Sequence, residues 1–164
     1  MQTFYTPADI KTLRELCGLT RLDLARVAKV QEHSIKDWER PKAFVPPYLG
    51  DLLHKKLAEI SELTSRLMAL DAKVIALPRD SDMPNEFDEG FDNATWTQAV
   101  GRCVLIKLST QVTWLLPEKY EAFLKSQNKS HCLAEMAHWA KNQVQELSAK
   151  FHANDQLIDS DCEP

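Results

Sequence analysis

Glycine is scarce: four occur in 164 residues, and none belongs to the clustered loop that cradles a phosphate, so nucleotide-binding folds built on such loops are excluded. Cysteine is equally sparse. Cys17, Cys103, Cys132 and Cys162 are scattered without a Cys-x-x-Cys pair, which argues against a disulfide frame and leaves reduced thiols as the expectation. No stretch approaches the ~20 uninterrupted apolar residues of a membrane span, and Met1-Gln-Thr-Phe-Tyr-Thr-Pro7 has neither the basic start nor the apolar core of a secretory signal. A soluble, cytoplasmic protein is expected.

Catalytic and metal-binding patterns are missing too. His131 and His138 flank Cys132, but residues seven apart on a helix lie two turns, roughly 10 Å, from one another, too far for direct proton transfer. The three also lack the paired short spacings of a zinc site. His54 and Trp139 read as packing or surface residues, and Met68, Met83 and Met136 form no stripe. No enzyme activity, no cofactor and no metal are expected.

Excess positive charge is lacking: the net charge of −4 argues against a general polyanion binder. Its distribution is uneven. Ten Lys or Arg minus eight Asp or Glu give residues 1–60 a charge of +2, whereas ten minus sixteen give residues 61–164 a charge of −6.

The informative segment is Gly18 to Lys42, which reads as two short helices around a tight turn. Thr20 can cap the first helix with Asp23 completing a capping box, and Leu24, Ala25 and Ala28 supply a narrow inward face that lets a second helix approach. Ile35 and Trp38, three apart, anchor that second helix. Upstream, Thr6-Pro7-Ala8-Asp9 supplies a cap, a first-turn proline and an acid, with Ile10, Leu13 and Leu16 on one face until Gly18.

This run, with Gly-Leu-Thr at 18–20, Leu24-Ala25, and Ile35 followed by Trp38-Glu39, resembles the lambda-repressor-like (Cro/XRE-type) helix-turn-helix family over about residues 6–60. Three positions depart from the family pattern: Arg21 stands for a frequent Gln, Gln31 for a Ser or Thr cap, and Pro41 for a helix-ending Gly. The resemblance implies a second helix that enters the major groove of DNA.

Further along, Pro46-Pro47 starts a helix whose Leu49, Leu52, Leu53, Leu57 and Ile60 can close this domain. The seam continues through Leu63, Leu67, Leu70, Val74 and Leu77, so one long helix could reach Pro78. A dimeric coiled coil and a helix packed on its own C-terminal domain both fit, and Lys73–Leu77 could instead leave as a strand. Residues 78–93 read as an acidic loop whose spacing does not match an EF-hand. Thr95 and Gln98 can cap a helix carrying Trp96, Val100, Cys103, Val104 and Leu108. Gln111–Leu116 reads as a short strand, Pro117 opens a helix through Leu124, and Ser130 caps another whose stripe runs from Leu133 to Phe151.

The expected fold is therefore mainly α: a DNA-binding domain over 1–60, a helical dimerisation domain with one or two short strands over 61–151, and a disordered acidic tail over 152–164. This layout is also similar to bacterial regulators with a helical C-terminal dimerisation domain, including anti-CRISPR-associated autorepressors. That likeness implies that the C-terminal part pairs two chains and does not sense a ligand.

The helix-turn-helix chemistry assigns roles to ten residues. Arg21, Arg40 and Lys42 can neutralise phosphates, and Thr20 sits at a helix start whose backbone N–H groups can do the same. Gln31, Glu32, His33 and Asp37, with Ser34 and Lys36 nearby, are the candidates for reading bases: Gln pairs with adenine, a carboxylate accepts from cytosine, and Lys reaches guanine. The expected function is a sequence-specific transcriptional regulator, a homodimeric repressor on an inverted-repeat DNA operator. The alternatives are an antitoxin-type autorepressor whose C-terminal domain also covers a protein partner, and an interaction adaptor whose helix-turn-helix does not bind DNA.

Overall fold

The computed structural model of the chain describes residues 4–78 and 90–160. The protein is mainly helical, with a two-stranded parallel sheet. In chain order the elements are α1 Pro7–Leu16, α2 Arg21–Ala28, α3 Glu32–Trp38, α4 Pro47–Ala69, β1 Val74–Leu77, α5 Asn93–Ile106, β2 Gln111–Trp114, α6 Pro117–Gln127 and α7 Leu133–Ser160. Two compact units form, the first from residues 1–65 and 91–99 and the second from 66–90 and 100–164, so the divisions fall inside α4 and α5. A single boundary at residue 60 does not anticipate the return of 91–99 to the first unit. Among the described residues no helix is long and apolar enough to cross a membrane.

In the first unit both early helices start as their sequences dictate. The Thr6 hydroxyl accepts from the Asp9 N–H and the Asp9 carboxylate accepts from the Thr6 N–H, and Thr20 and Asp23 repeat this reciprocal cap. Gly18 takes φ +68, a left-handed conformation that suits glycine, and turns the chain from α1 toward α2. The face of α1 differs from the expected one: Ile10, Arg14 and Cys17 are buried, while Leu16 is exposed. Steps of three drift off a 3.6-residue face, whereas steps of four and three stay on it.

The core of this unit gathers Ile10, Leu24, Ile35, Leu49, Leu53 and Ile60, all fully buried, with Tyr5 and Val45. Each such aliphatic side chain contributes about 1.5–3 kcal/mol by leaving water. Gly50 admits the Tyr5 ring against α4, since a Cβ there would meet Tyr5 Cε2 at 2.2 Å. The Tyr5 hydroxyl donates to Asp51 Oδ1 at 3.1 Å and fixes that ring. Residues 91–99 join this unit with Ala94 against its core and with Lys56 Nζ donating to Asp92 Oδ2 at 2.5 Å. The cap of α5 is Asp92 and not Thr95: the Thr95 N–H and hydroxyl both donate to Asp92 Oδ1, and Thr95 is fully buried.

In the second unit the long apolar seam is interrupted. Helix α4 ends at Ala69, its last turn tightens through i to i+3 hydrogen bonds at Leu70 and Asp71, and Asp71 is left-handed at φ +46. Val74–Leu77 then forms β1, so of the readings left open for this stretch the strand is the one adopted. β1 pairs in parallel with β2 in the register Val74 to Gln111 through Leu77 to Trp114. A parallel pair needs a long crossover, and α5 lies within it. Helix α7 packs against both strands and against α6. Its ring contacts include Trp139 edge-on to Tyr120 at 5.7 Å, and the Tyr120 hydroxyl lies 3.0 Å from His131 Nδ1.

Two further expectations change here. Helix α7 begins at Leu133, so Ser130 is not its cap, and it runs to Ser160 rather than giving way to a disordered tail at 152. No Gly or Pro lies between Leu133 and Ser160, and loss of an apolar stripe removes packing without removing helix geometry. The acidic-loop positions 79–89 and the tail positions 161–164 lie outside the described residues.

Candidate nucleic-acid interface

Helices α2 and α3 pack on each other through the inward face that the sequence implied. Leu24, Ala25 and Ile35 are buried, and Ala28, Val30 and Trp38 are partly buried around them. Between the helices Lys29 adopts φ 56, a left-handed cap whose N–H donates to the Ala25 and Arg26 carbonyls. Gln31 then flanks α3 in an extended conformation with no side-chain cap hydrogen bond. The missing Ser or Thr therefore leaves the first turn of α3 without a hydroxyl partner.

Burial of Ile35 turns the rest of α3 outward. Gln31, Glu32, His33, Lys36 and Asp37 are exposed and Ser34 is partly so. Arg40 and Lys42 are exposed in the turn that follows, where Lys42 takes φ +67. Eight of the ten predicted residues thus sit on or beside α3, and the other two, Thr20 and Arg21, sit at the head of α2. Thr20, also exposed, spends its hydroxyl within α2: it donates to Asp23 Oδ2 at 2.5 Å and accepts from the Asp23 N–H at 3.1 Å.

Two charges have assignments beyond the one expected. Arg40 pairs with Asp37 at 3.1 Å, three residues back, so the second carboxylate of α3 is neutralised by its own helix end. Arg21 Nε donates to Glu39 Oε2 at 2.7 Å while 42% of its side chain stays exposed, which joins it to the frame and leaves part of it at the surface.

The residues that hold this arrangement, Arg14 and Glu39, were not among the candidates. Arg14 Nε donates to Glu39 Oε1 at 2.6 Å, and Arg14 Nη1 donates to the Leu19 carbonyl at 2.7 Å. The Glu39 side chain is 2% exposed and that of Arg14 9%. Burial pushes the Glu39 carboxyl up, but the hydrogen bonds and charges of Arg14 and Arg21 outweigh it and hold the group below its ordinary value. Its own bonds to Glu39 in turn raise the Arg21 guanidinium. The sequence signal was available: Arg14 falls four residues after Ile10, on the buried side of α1, and Glu39 directly follows the anchoring Trp38.

Chemically, the surface offers a short helix with amide, imidazole, hydroxyl, ammonium and carboxylate groups side by side, flanked by guanidinium and ammonium groups. Such groups match base edges and phosphates. Among the described residues no three His, Cys, Asp or Glu side chains gather as a metal site needs. No protein-family model matches the chain, and no curated protein matches it.

Proposed function

We propose that this protein is a sequence-specific DNA-binding transcriptional regulator of the lambda-repressor-like helix-turn-helix kind, acting in the cytoplasm as a homodimeric repressor on an inverted repeat. The observation that carries the reading is the division of α3: Ile35 is fully buried in the core shared with α2, while Glu32, His33, Lys36 and Asp37 are exposed on its other faces. That division matches a recognition helix held by its partner helix and presented to a major groove. In this reading Arg21, Arg40 and Lys42, each at least partly exposed, meet phosphates. One such helix reads a half-site, and pairing two copies supplies the affinity and spacing specificity that an operator requires.

Selection of bound sequences from a random duplex pool tests this. Enrichment of an inverted repeat with half-sites about one helical turn apart is the expected result. Recovery of an unenriched pool would overturn it, and so would the absence of any retained DNA, which favours an adaptor, the reading supported by the two carboxylates on α3, since each raises the cost of approaching phosphates.

A further inference from the structure

Glu39 is shared by two guanidinium groups that it holds in different ways. Arg14 Nε donates to Glu39 Oε1 at 2.6 Å, Arg14 Nη1 donates to the Leu19 carbonyl at 2.7 Å, and Arg14 Nη2 lies 3.4 Å from Glu15 Oε1 and 3.5 Å from Glu39 Oε2. Every nitrogen of that buried group has an acceptor. Arg21 is held at one atom only, with Nε donating to Glu39 Oε2 at 2.7 Å. Among the described residues its two terminal nitrogens donate to no acceptor, and 42% of its side chain is exposed. Glu32 and Glu15 act on it through space.

A guanidinium is planar, so a hydrogen bond from Nε leaves its Nη1–Nη2 edge intact, and the two N–H groups of that edge match two oxygens of one oxyanion. Glu39 is a fixed anchor for the Arg21 plane, because its side chain is 2% exposed and its other oxygen is bound to Arg14. An arginine on open surface loses rotamer freedom when it takes an anion. Arg21 has lost part of that freedom beforehand.

We infer that Glu39 is a positioning residue that makes the Nη1–Nη2 edge of Arg21 a preformed two-pronged clamp for one DNA phosphate at the head of α2. The role requires arginine and not merely a cation: lysine carries a single nitrogen, so holding Glu39 with it gives up the two-pronged contact. Charge selects a phosphate over the carboxylate of a protein partner. Residues 20–42 hold six Lys or Arg against four Asp or Glu, and one of those four acids is the buried Glu39. The exposed cations Arg26 and Lys29 on and after α2, and Lys36 and Lys42 on and after α3, suit the repeated phosphates of a duplex. The inference rests on the DNA-binding reading and adds to it the form of one contact and the residue that sets it.

Binding of a fluorescein-labelled duplex of random sequence by the full chain, read by fluorescence polarisation between about 50 and 200 mM salt, tests it with Arg21→Lys beside Arg21→Ala. Plain charge attraction predicts that Arg21→Lys binds like the wild type. The clamp predicts that Arg21→Lys binds about tenfold more weakly per subunit at about 100 mM salt, with a log–log slope lower by about 0.9 per subunit, as Arg21→Ala does. Its melting temperature should stay close to that of the wild type, because the ammonium still pairs with Glu39. A second measurement needs no variant: the Arg21 Nε–H resonance should stay protected from solvent exchange when the duplex is added, and the Nη groups should gain protection only then. Affinity and slope of Arg21→Lys equal to those of the wild type, or loss of Nε–H protection on binding, would overturn the inference and leave the DNA-binding reading in place. A wild type that retains no duplex even at the lowest salt would overturn both and assign the fork to a carboxylate of a protein partner.

Discussion

Arg14 on α1 and Glu39 at the end of α3 are joined by a 2.6 Å ion pair that is almost wholly withdrawn from water. Arg21, the first residue of α2, completes the arrangement on the other carboxylate oxygen. One buried acid therefore ties together all three helices around the candidate reading surface, and the pose of α3 depends on a residue that need not touch a ligand.

Removing that acid should be costly. Glu39→Gln leaves the Arg14 guanidinium buried without its counter-charge, and breaking such a pair from one side destabilises by about 3 kcal/mol. Arg21→Ala should cost less, about 1 kcal/mol or below, because a half-exposed pair is screened by water. Urea denaturation midpoints of both variants, at unchanged slope, check the order. Equal losses would mean that Arg14 does not depend on Glu39.

Stability should fall in acid, with a sign set by the same groups. Glu39, Asp9 and Asp23 all titrate below their ordinary values: Glu39 through Arg14 and Arg21 against the opposing effect of burial, Asp9 and Asp23 through hydrogen bonds from Thr6 and Thr20. A lowered native pKa means that the unfolded chain binds more protons, so stability rises with pH in that interval. The contribution is complete above the ordinary values, near 4.5 for Glu and 3.8 for Asp, and is lost as pH drops through the lowered ones. Melting between pH 6 and 2.5 should show this loss, reduced in Glu39→Gln.

The N-terminal helices were legible because their signals are local. Thr6 and Thr20 each find an acid three residues on, and Leu24, Ala25 and Ile35 fall at helical spacings. What was not legible depends on distant partners. Nothing within Val74–Leu77 decides between a helix and a strand until Gln111–Trp114 lies beside it, and Arg14 looks like a surface cation until Glu39 arrives from 25 residues away. The return of residues 91–99 to the first unit brings Asp92 to Lys56 across 36 residues and Ala94 against the N-terminal core, pairings that no local pattern encodes.

Gly50→Ala sets two effects against each other. Alanine favours the helix by about 1 kcal/mol over glycine, but its methyl group would stand 2.2 Å from the Tyr5 ring, which Asp51 holds in place. Overpacking typically costs about 1–3 kcal/mol, so a net loss is expected. Thermal melting checks it, and the companion Tyr5→Ala/Gly50→Ala should melt no lower than Tyr5→Ala alone, because the clash is then absent.

Under the proposed function, Arg40→Ala should weaken binding to all DNA sequences alike and lower the log–log salt slope by about 0.9 per lost phosphate contact on each subunit. Its melting temperature should scarcely move, because the Asp37 pair that it breaks is exposed. Arg21→Ala should lower both slope and stability, since its side chain serves Glu39 and the surface together. Titrations between 50 and 200 mM salt separate the two variants; unchanged slopes would remove both residues from the backbone contacts.

His33 and Asp37 should differ in how they affect base preference. His33 is exposed near the start of α3, where recognition helices meet base edges, while Asp37 lies a turn later and is paired with Arg40. His33→Ala should therefore relax one symmetrically related pair of operator positions, by the roughly 1–3 kcal/mol that a good base contact contributes, and leave non-specific affinity nearly unchanged. Asp37→Ala removes a negative charge and releases Arg40, so it should strengthen binding to every sequence and steepen the salt dependence, because more positive charge then faces the phosphates. Selected-sequence profiles and salt titrations of the two variants measure both effects. A relaxed base position in Asp37→Ala with no gain in non-specific affinity would place the carboxylate on a cytosine instead, with Arg40 released to the DNA only in the complex.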